Sequence, residues 1–228
     1  MRVKFDAFER PAHAYGMWQA VRQAKALGIG KITCIEFGVA QGRTYQAMLK
    51  MARQLTREYG VEIKVIGFDS GAGLPQPLDY RDLPYYWQAG QFPLATNLLP
   101  NLLIGDVSET VPKFVAGKSN GVPIGFIAFD LDYYSATKKA FEIFNAPTLP
   151  RVFCYFDDVI DDDFMFFNEY TGELLAIREF NEEHGTEKLT KINGLAALRP
   201  FRSRWPDTIY VLHKFAHPLY IKNIGEKI

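Results

Sequence analysis

The residues best placed to do chemistry are two acidic clusters, Asp130 and Asp132 in FDLD and Asp157 and Asp158 in FDD, each closing a short apolar run. The stretch between them reads as one helix followed by one strand. A strand, a crossover helix and a second strand form a right-handed parallel unit whose strands usually lie side by side, about 4.8 Å apart. Both clusters then emerge on one edge of a sheet. Carboxylates crowded there repel one another at neutral pH unless a cation neutralises them or some take up protons. The spacing therefore predicts a divalent metal site.

The elements that must position these groups follow from apolar periodicity. Met17, Trp18, Val21 and Ala24 fall at helical spacing over residues 13–27, and Gly28 and Gly30 stop that helix. A strand at 32–37 runs into the glycine turn GVAQG, a helix follows over 44–59, and a second strand spans 63–68. Further apolar runs predict strands at 102–105, 124–129 and 152–156, each ending in aspartate. Ser135 or Thr137 can cap a helix through Phe144, and Pro147 and Pro150 force the chain out of it. A helix over 171–184 and strands at 188–193 and 208–215 complete the chain. This alternation predicts an α/β, Rossmann-like three-layer sandwich: a mostly parallel seven-stranded sheet with an antiparallel C-terminal strand, in a single domain over 1–228. Ligands of such sheets bind beyond the carboxyl ends of the strands. Here those ends carry Glu36, Asp69, Asp106, Asp130, Asp157 and Asp158.

The segment CIEFGVAQGRT puts Glu36, Gly38 and Gly42 where missing side chains let a ligand approach the backbone. A tight strand-to-helix turn explains the glycines equally well. Asp69 adds weight, because a carboxylate ending the second strand can accept both ribose hydroxyls of an adenosine, and Asp106 could take the adenine amino group. Their structural alternatives are a turn aspartate in DSG and a helix N-cap in GDVSE. The glycines do not form the GxGxxG fingerprint of a dinucleotide site. S-adenosylmethionine, with a sulfonium, an ammonium and no phosphate, suits an acidic edge better.

Read in order, ExGxxxG from Glu36, FDSGAGLP from Phe68, GDVSETVP from Gly105, DLDYYSAT from Asp130 and FDD from Phe156 resemble the motifs of class I S-adenosylmethionine-dependent methyltransferases. More narrowly they are similar to the metal-dependent macrocin O-methyltransferase (TylF/MycF-like) family, which methylates sugar hydroxyls in antibiotic biosynthesis. The resemblance covers roughly the middle half of the chain. It implies magnesium ligands at Asp130, Asp157 and Asp158 and cofactor contacts at Glu36, Gly38, Gly42, Asp69 and Asp106, with Asp132 near the cofactor's ammonium group. Gly71 and Ala72, Leu131 and Val159 depart from that pattern, and these departures bear on the acceptor more than on the chemistry. In the expected reaction an acceptor hydroxyl meets the metal held through Asp130, and Asp132 is the nearest carboxylate for a base. The four histidines read as surface or packing residues.

Residues 74–100 hold five prolines with Tyr80, Tyr85, Tyr86, Trp87 and Phe92 and no clear periodicity, which predicts an acceptor lid with Tyr85, Tyr86 and Trp87 toward the substrate. A packed surface excursion or subunit contact is the plainer reading. Lysine plus arginine equal aspartate plus glutamate at 26 each, so no basic field attracts nucleic acid or a membrane. Cys34 and Cys154 lie in buried apolar runs, and the opening residues lack a signal-peptide core; a cytoplasmic enzyme with a small-molecule acceptor is expected. The family and the aromatic segments point to a homo-oligomer. A metal-dependent nucleotide-sugar glycosyltransferase using FDLD as its DxD motif, and a non-catalytic cofactor- or partner-binding domain, are the rival readings.

Overall fold

The computed structural model describes residues 2–95, 99–117 and 121–225. Seven strands, β1 Lys31–Phe37, β2 Glu62–Asp69, β3 Leu102–Ile104, β4 Ile124–Phe129, β5 Thr148–Phe156, β6 Glu187–Lys191 and β7 Ile209–Lys214, form one sheet in the order β3-β2-β1-β4-β5-β7-β6. The first five run parallel, and β7 is antiparallel to both its neighbours. Helices α1 Pro11–Ala26 and α2 Arg43–Tyr59 cover one face, while α3 Val107–Ala116, α4 Tyr134–Ala140 and α5 Gly172–Glu183 cover the other. This is the three-layer α/β arrangement that the alternating pattern requires. Among the described residues no helix is long and apolar enough to cross a membrane.

The parallel strands are apolar almost without interruption because both faces are covered; every residue of β4 is buried. Their carboxyl ends are aligned by four phenylalanines. Phe68, Phe37, Phe129 and Phe156 occupy register partners on β2, β1, β4 and β5. Their rings stack with centroid separations of 4.7, 5.4 and 4.8 Å and interplanar angles of 28°, 11° and 8°. Such pairs contribute about 0.5–1.5 kcal/mol each beyond area burial. Each ring stands one residue before Asp69, Gly38, Asp130 or Asp157. The ladder thus fixes the height at which those four groups leave the sheet.

Three elements differ from the sequence expectation. Residues 107–116 form α3, capped by the Asp106 carboxylate, which accepts from Ser108 N–H at 2.7 Å. The helix expected through Phe144 ends at Ala140 and continues as a tight 3₁₀ segment, Phe141–Asn145. β5 begins at Thr148 and includes Pro150. Proline lacks a ladder donor, and it is tolerated here because the β4–β5 register slips between Ile124 and Phe126.

Candidate active site

The turn from β1 to α2 wraps around the carboxylate that ends β2. Val39 and Ala40 N–H each donate to Asp69 Oδ2 at 2.9 Å, and Gly71 N–H donates to Oδ1 at 2.7 Å. Three of the roughly four acceptor positions of a carboxylate are therefore used in ordering the two loops beside it. Gly38 is required for a different reason from the one sequence suggested. At φ +79°, a Cβ there would lie 1.8 Å from the Asp130 carbonyl oxygen, so the missing side chain makes room for the end of β4. Gly42, at φ +71°, is the N-cap of α2, and a Cβ there would meet only the side chain of Leu99.

Beyond β4 and β5 the acids converge. One oxygen each of Asp130, Asp132 and Asp158 lie within 4.8 Å of one another. Asp157 is exposed and accepts a hydrogen bond from the Tyr155 hydroxyl, so in this geometry Asp132 rather than Asp157 joins the other two. Asp132 holds a left-handed backbone, φ 59°, uncommon for a side-chain-bearing residue and of a kind that recurs at functional sites. Burial, then the charges of Asp157 and Asp158, raises the pKa of Asp130 well above the carboxylate range. Burial followed by Asp130 and Asp157 does the same to Asp132, and burial followed by Asp132 and Asp157 to Asp158.

Sequence reasoning missed two buried acids. Glu173, in the first turn of α5, is fully buried; its Oε2 accepts from Asp158 N–H at 3.1 Å and its Oε1 has no partner. Burial and the Asp158 charge raise its pKa as well. Asp82, in the 74–100 segment, accepts from Leu78 N–H and from the N–H and hydroxyl of Ser135, tying that segment to the start of α4. Nothing in the local sequence separates either from an ordinary helix-start or turn carboxylate.

Two cavities meet at this edge. One, of about 340 Å³, is lined by Gly38, Asp69, Asp106, Asp130, Asp132, Asp157 and Asp158 and covered by Leu74, Trp87 and Phe92. Glu36 is buried below it and does not line it; burial above all raises its pKa, and its Oε2 has no partner. Gly42 is likewise outside the lining. The second, an open cleft of about 510 Å³, shares Trp87, Asp157 and Asp158 with the first and is walled by Tyr155, Phe167 and Trp205. His13 lies in this wall, its ring tilted at 44° to that of Tyr155 with centroids 4.4 Å apart, its pKa pushed down to about 3 by burial and then by Arg10. Of the aromatics expected at the substrate, Trp87 borders both cavities, whereas Tyr85 and Tyr86 border neither. The Tyr86 hydroxyl instead accepts from Phe166 N–H at 2.8 Å, which pins the segment against the FMFFNEY loop. Residues 96–98 of the expected lid lie outside the described residues.

The donor set fits a hard divalent cation: three carboxylate oxygens are grouped, and the buried Asp158 Oδ2 has no hydrogen-bond partner. The cavity size and the lining by a glycine turn with two strand-end acids fit a nucleoside ligand. Sheet order and site together define a methyltransferase-like Rossmann fold. Solved structures similar to this chain include the calicheamicin methyltransferase CalS11 (22% identity, TM-score 0.57, covering 88% of this chain and 77% of that one). The O-methyltransferase NovP is also similar, at 14% identity and TM-score 0.57, covering 90% of this chain and 80% of that one. No family model matches the sequence, and no curated protein matches it.

Proposed function

We propose that the chain is an S-adenosylmethionine-dependent O-methyltransferase assisted by a divalent cation such as magnesium, acting on a hydroxyl of a small polar acceptor. The observation that carries this reading is the cavity bounded by Gly38, Asp69 and Asp106 that runs directly onto the Asp130, Asp132 and Asp158 group. When bound, the cofactor supplies a methyl group on a sulfonium, and the cation supplies Lewis acidity toward an acceptor hydroxyl.

The chain's own residues do the rest. Asp69 orders the glycine turn and keeps about one acceptor position for a ribose hydroxyl; Asp106, while capping α3, lines the same cavity. Trp87 and Phe92, with ring centroids 5.7 Å apart, cover the cavity and exclude water from it. Asp130 and Asp158 would hold the cation with a third carboxylate, for which Asp132 is grouped and Asp157 adjacent. From sequence no base is evident and Asp132 is only the nearest carboxylate candidate; it is buried within the group. Asp157 borders both cavities and is oriented by Tyr155, which places it better to take the acceptor's proton.

The test is calorimetric titration with adenosylhomocysteine, with and without Mg²⁺, followed by transfer of a labelled methyl group to a panel of sugars and phenols. Binding and metal-dependent transfer are expected. Failure to bind adenosylhomocysteine in the presence of Mg²⁺ would end this reading, and binding without transfer to any acceptor would favour a non-catalytic domain.

A further inference from the structure

The cleft beside the carboxylate group contains a cation with no partner among the described residues. Arg10, the residue before α1, lines the 510 Å³ cleft, and its guanidinium makes no ion pair or hydrogen bond among the described residues, not even with the adjacent Glu9. The other charged groups of the cleft are differently placed. Arg204 donates, at 3.5 Å, to the Ile160 carbonyl, and Asp162 accepts from Phe164 and Met165 N–H at 2.7 Å each. Asp157 is held by Tyr155, and Asp158 belongs to the carboxylate group. Arg10 acts electrostatically on Glu36 and Asp130 without ion-pair contact with either. An exposed cation thus lines the same cleft as Asp157 and Asp158, where the reacting hydroxyl is expected.

We propose that Arg10 is the specificity residue for an acceptor carrying an anionic group, a carboxylate or a phosphate, on the same small molecule as the hydroxyl to be methylated. The inference rests on the methyltransferase reading and narrows its substrate class. The guanidinium fork matches either oxyanion through paired N–H donors, which lysine cannot reproduce. Trp87, Trp205 and Tyr155 supply flat apolar walls for the body of the acceptor. The anion meets Arg10 at one side of the cleft, so that the hydroxyl is presented toward Asp157 and Asp158 and acceptors lacking the anchor are bound without orientation.

The test uses the intact chain with adenosylhomocysteine and Mg²⁺, reading tryptophan fluorescence, since two of its three tryptophans line the cleft. Two matched pairs serve as probes: 3,4-dihydroxybenzoate against 3,4-dihydroxybenzamide, and glucose 6-phosphate against glucose. The expected result is that the anion of at least one pair binds about tenfold or more tighter than its neutral partner, the scale of a charge-assisted hydrogen bond. Which pair responds identifies carboxylate or phosphate as the source. Arg10→Ala should bring that ratio to near one while leaving the neutral partner's affinity within about twofold, and Arg10→Lys should restore only part of it. Equal binding within both pairs, no binding in either, or a ratio unchanged in Arg10→Ala would overturn the proposal. Adenosylhomocysteine binding, titrated separately beforehand, tells a failure of the cofactor site from a failure of the anion anchor.

Discussion

Replacing Gly38 by alanine tests whether the turn between β1 and α2 and the acidic end of β4 are one mechanical unit. The new Cβ would stand 1.8 Å from the Asp130 carbonyl oxygen, against a shortest ordinary approach of 3.0 Å, so two backbone segments must separate by about 1.2 Å. Neither is a flexible side chain, and both are pinned: Asp130 N–H donates to Phe37 O at 3.1 Å, and Gly38 N–H donates to Phe68 O at 3.0 Å. The left-handed backbone costs alanine about 1–2 kcal/mol, and overpacking adds about 1–3 kcal/mol. The expected loss is thus about 2–5 kcal/mol, a fall in Tm on the order of 10 °C for a domain of this size. Gly42→Ala is the control. It shares the backbone cost, but the clash is with the Leu99 side chain, which can move, so the loss should stay near about 1–2 kcal/mol. Thermal denaturation followed by circular dichroism gives the stabilities, and calorimetry gives adenosylhomocysteine affinity, which should fall at least about tenfold more in Gly38→Ala than in Gly42→Ala. Equal Tm and equal affinity in the two variants would refute the argument that close backbone approach, rather than turn conformation alone, demands glycine at 38.

Three further outcomes are expected. Phe129→Ala removes a fully buried ring stacked on two others and should cost about 3–5 kcal/mol in urea denaturation; a loss below about 1 kcal/mol would show that the ladder does not hold the strand ends. Because Asp130, Asp132, Asp158 and Glu173 titrate above the ordinary carboxylate range, they favour the folded state while protonated, and that stability is lost as pH rises from about 4 through their raised values. His13, lowered from 6.5 to about 3, acts in the opposite sense, its contribution being lost as pH falls through that interval. The two are separated by comparing Tm with and without Mg²⁺: the stabilisation by the ion should grow between pH 5 and pH 8 as it displaces protons, and a pH-independent increment would contradict a protonated acid group. Asp158→Asn should abolish the Mg²⁺-induced rise in Tm while adenosylhomocysteine still binds within several-fold, whereas Asp157→Asn should keep much of that rise and lose turnover. The reverse pattern would return Asp157 to the metal and remove it as base.

Strands β1 to β5 were legible because each is a run of apolar residues closed by a polar group, a pattern that follows directly from burial on both faces and ligand access at one end. The same pattern placed Asp69, Asp106, Asp130, Asp157 and Asp158 at a common edge, where all five line one cavity. It was less informative where a residue acts through the fold instead of at a strand end. α3 was obscured by Pro112 and by valine and threonine in VSETVPKFVA, a composition of weak helix propensity that Asp106 offsets by capping. Pro150 argued for a later start to β5, because a local slip in register cannot be read from composition. Glu173 and Asp82 became visible only in three dimensions, where α5 brings Glu173 against Asp158 and the 74–100 segment brings Asp82 against Ser135. The phenylalanines were in view as FG and FD dipeptides, yet their stacking depends on interstrand register, which a single sequence does not encode locally.

That row of rings also bears on how such a protein can diverge. A smaller side chain at any one rung would leave a gap shared with its neighbours, so tolerated changes there should come in compensating sets, while exposed side chains outside the stack, such as Tyr85, Phe164 and Phe166, are free to vary singly. Acceptor preference could then be rebuilt repeatedly on an unaltered platform.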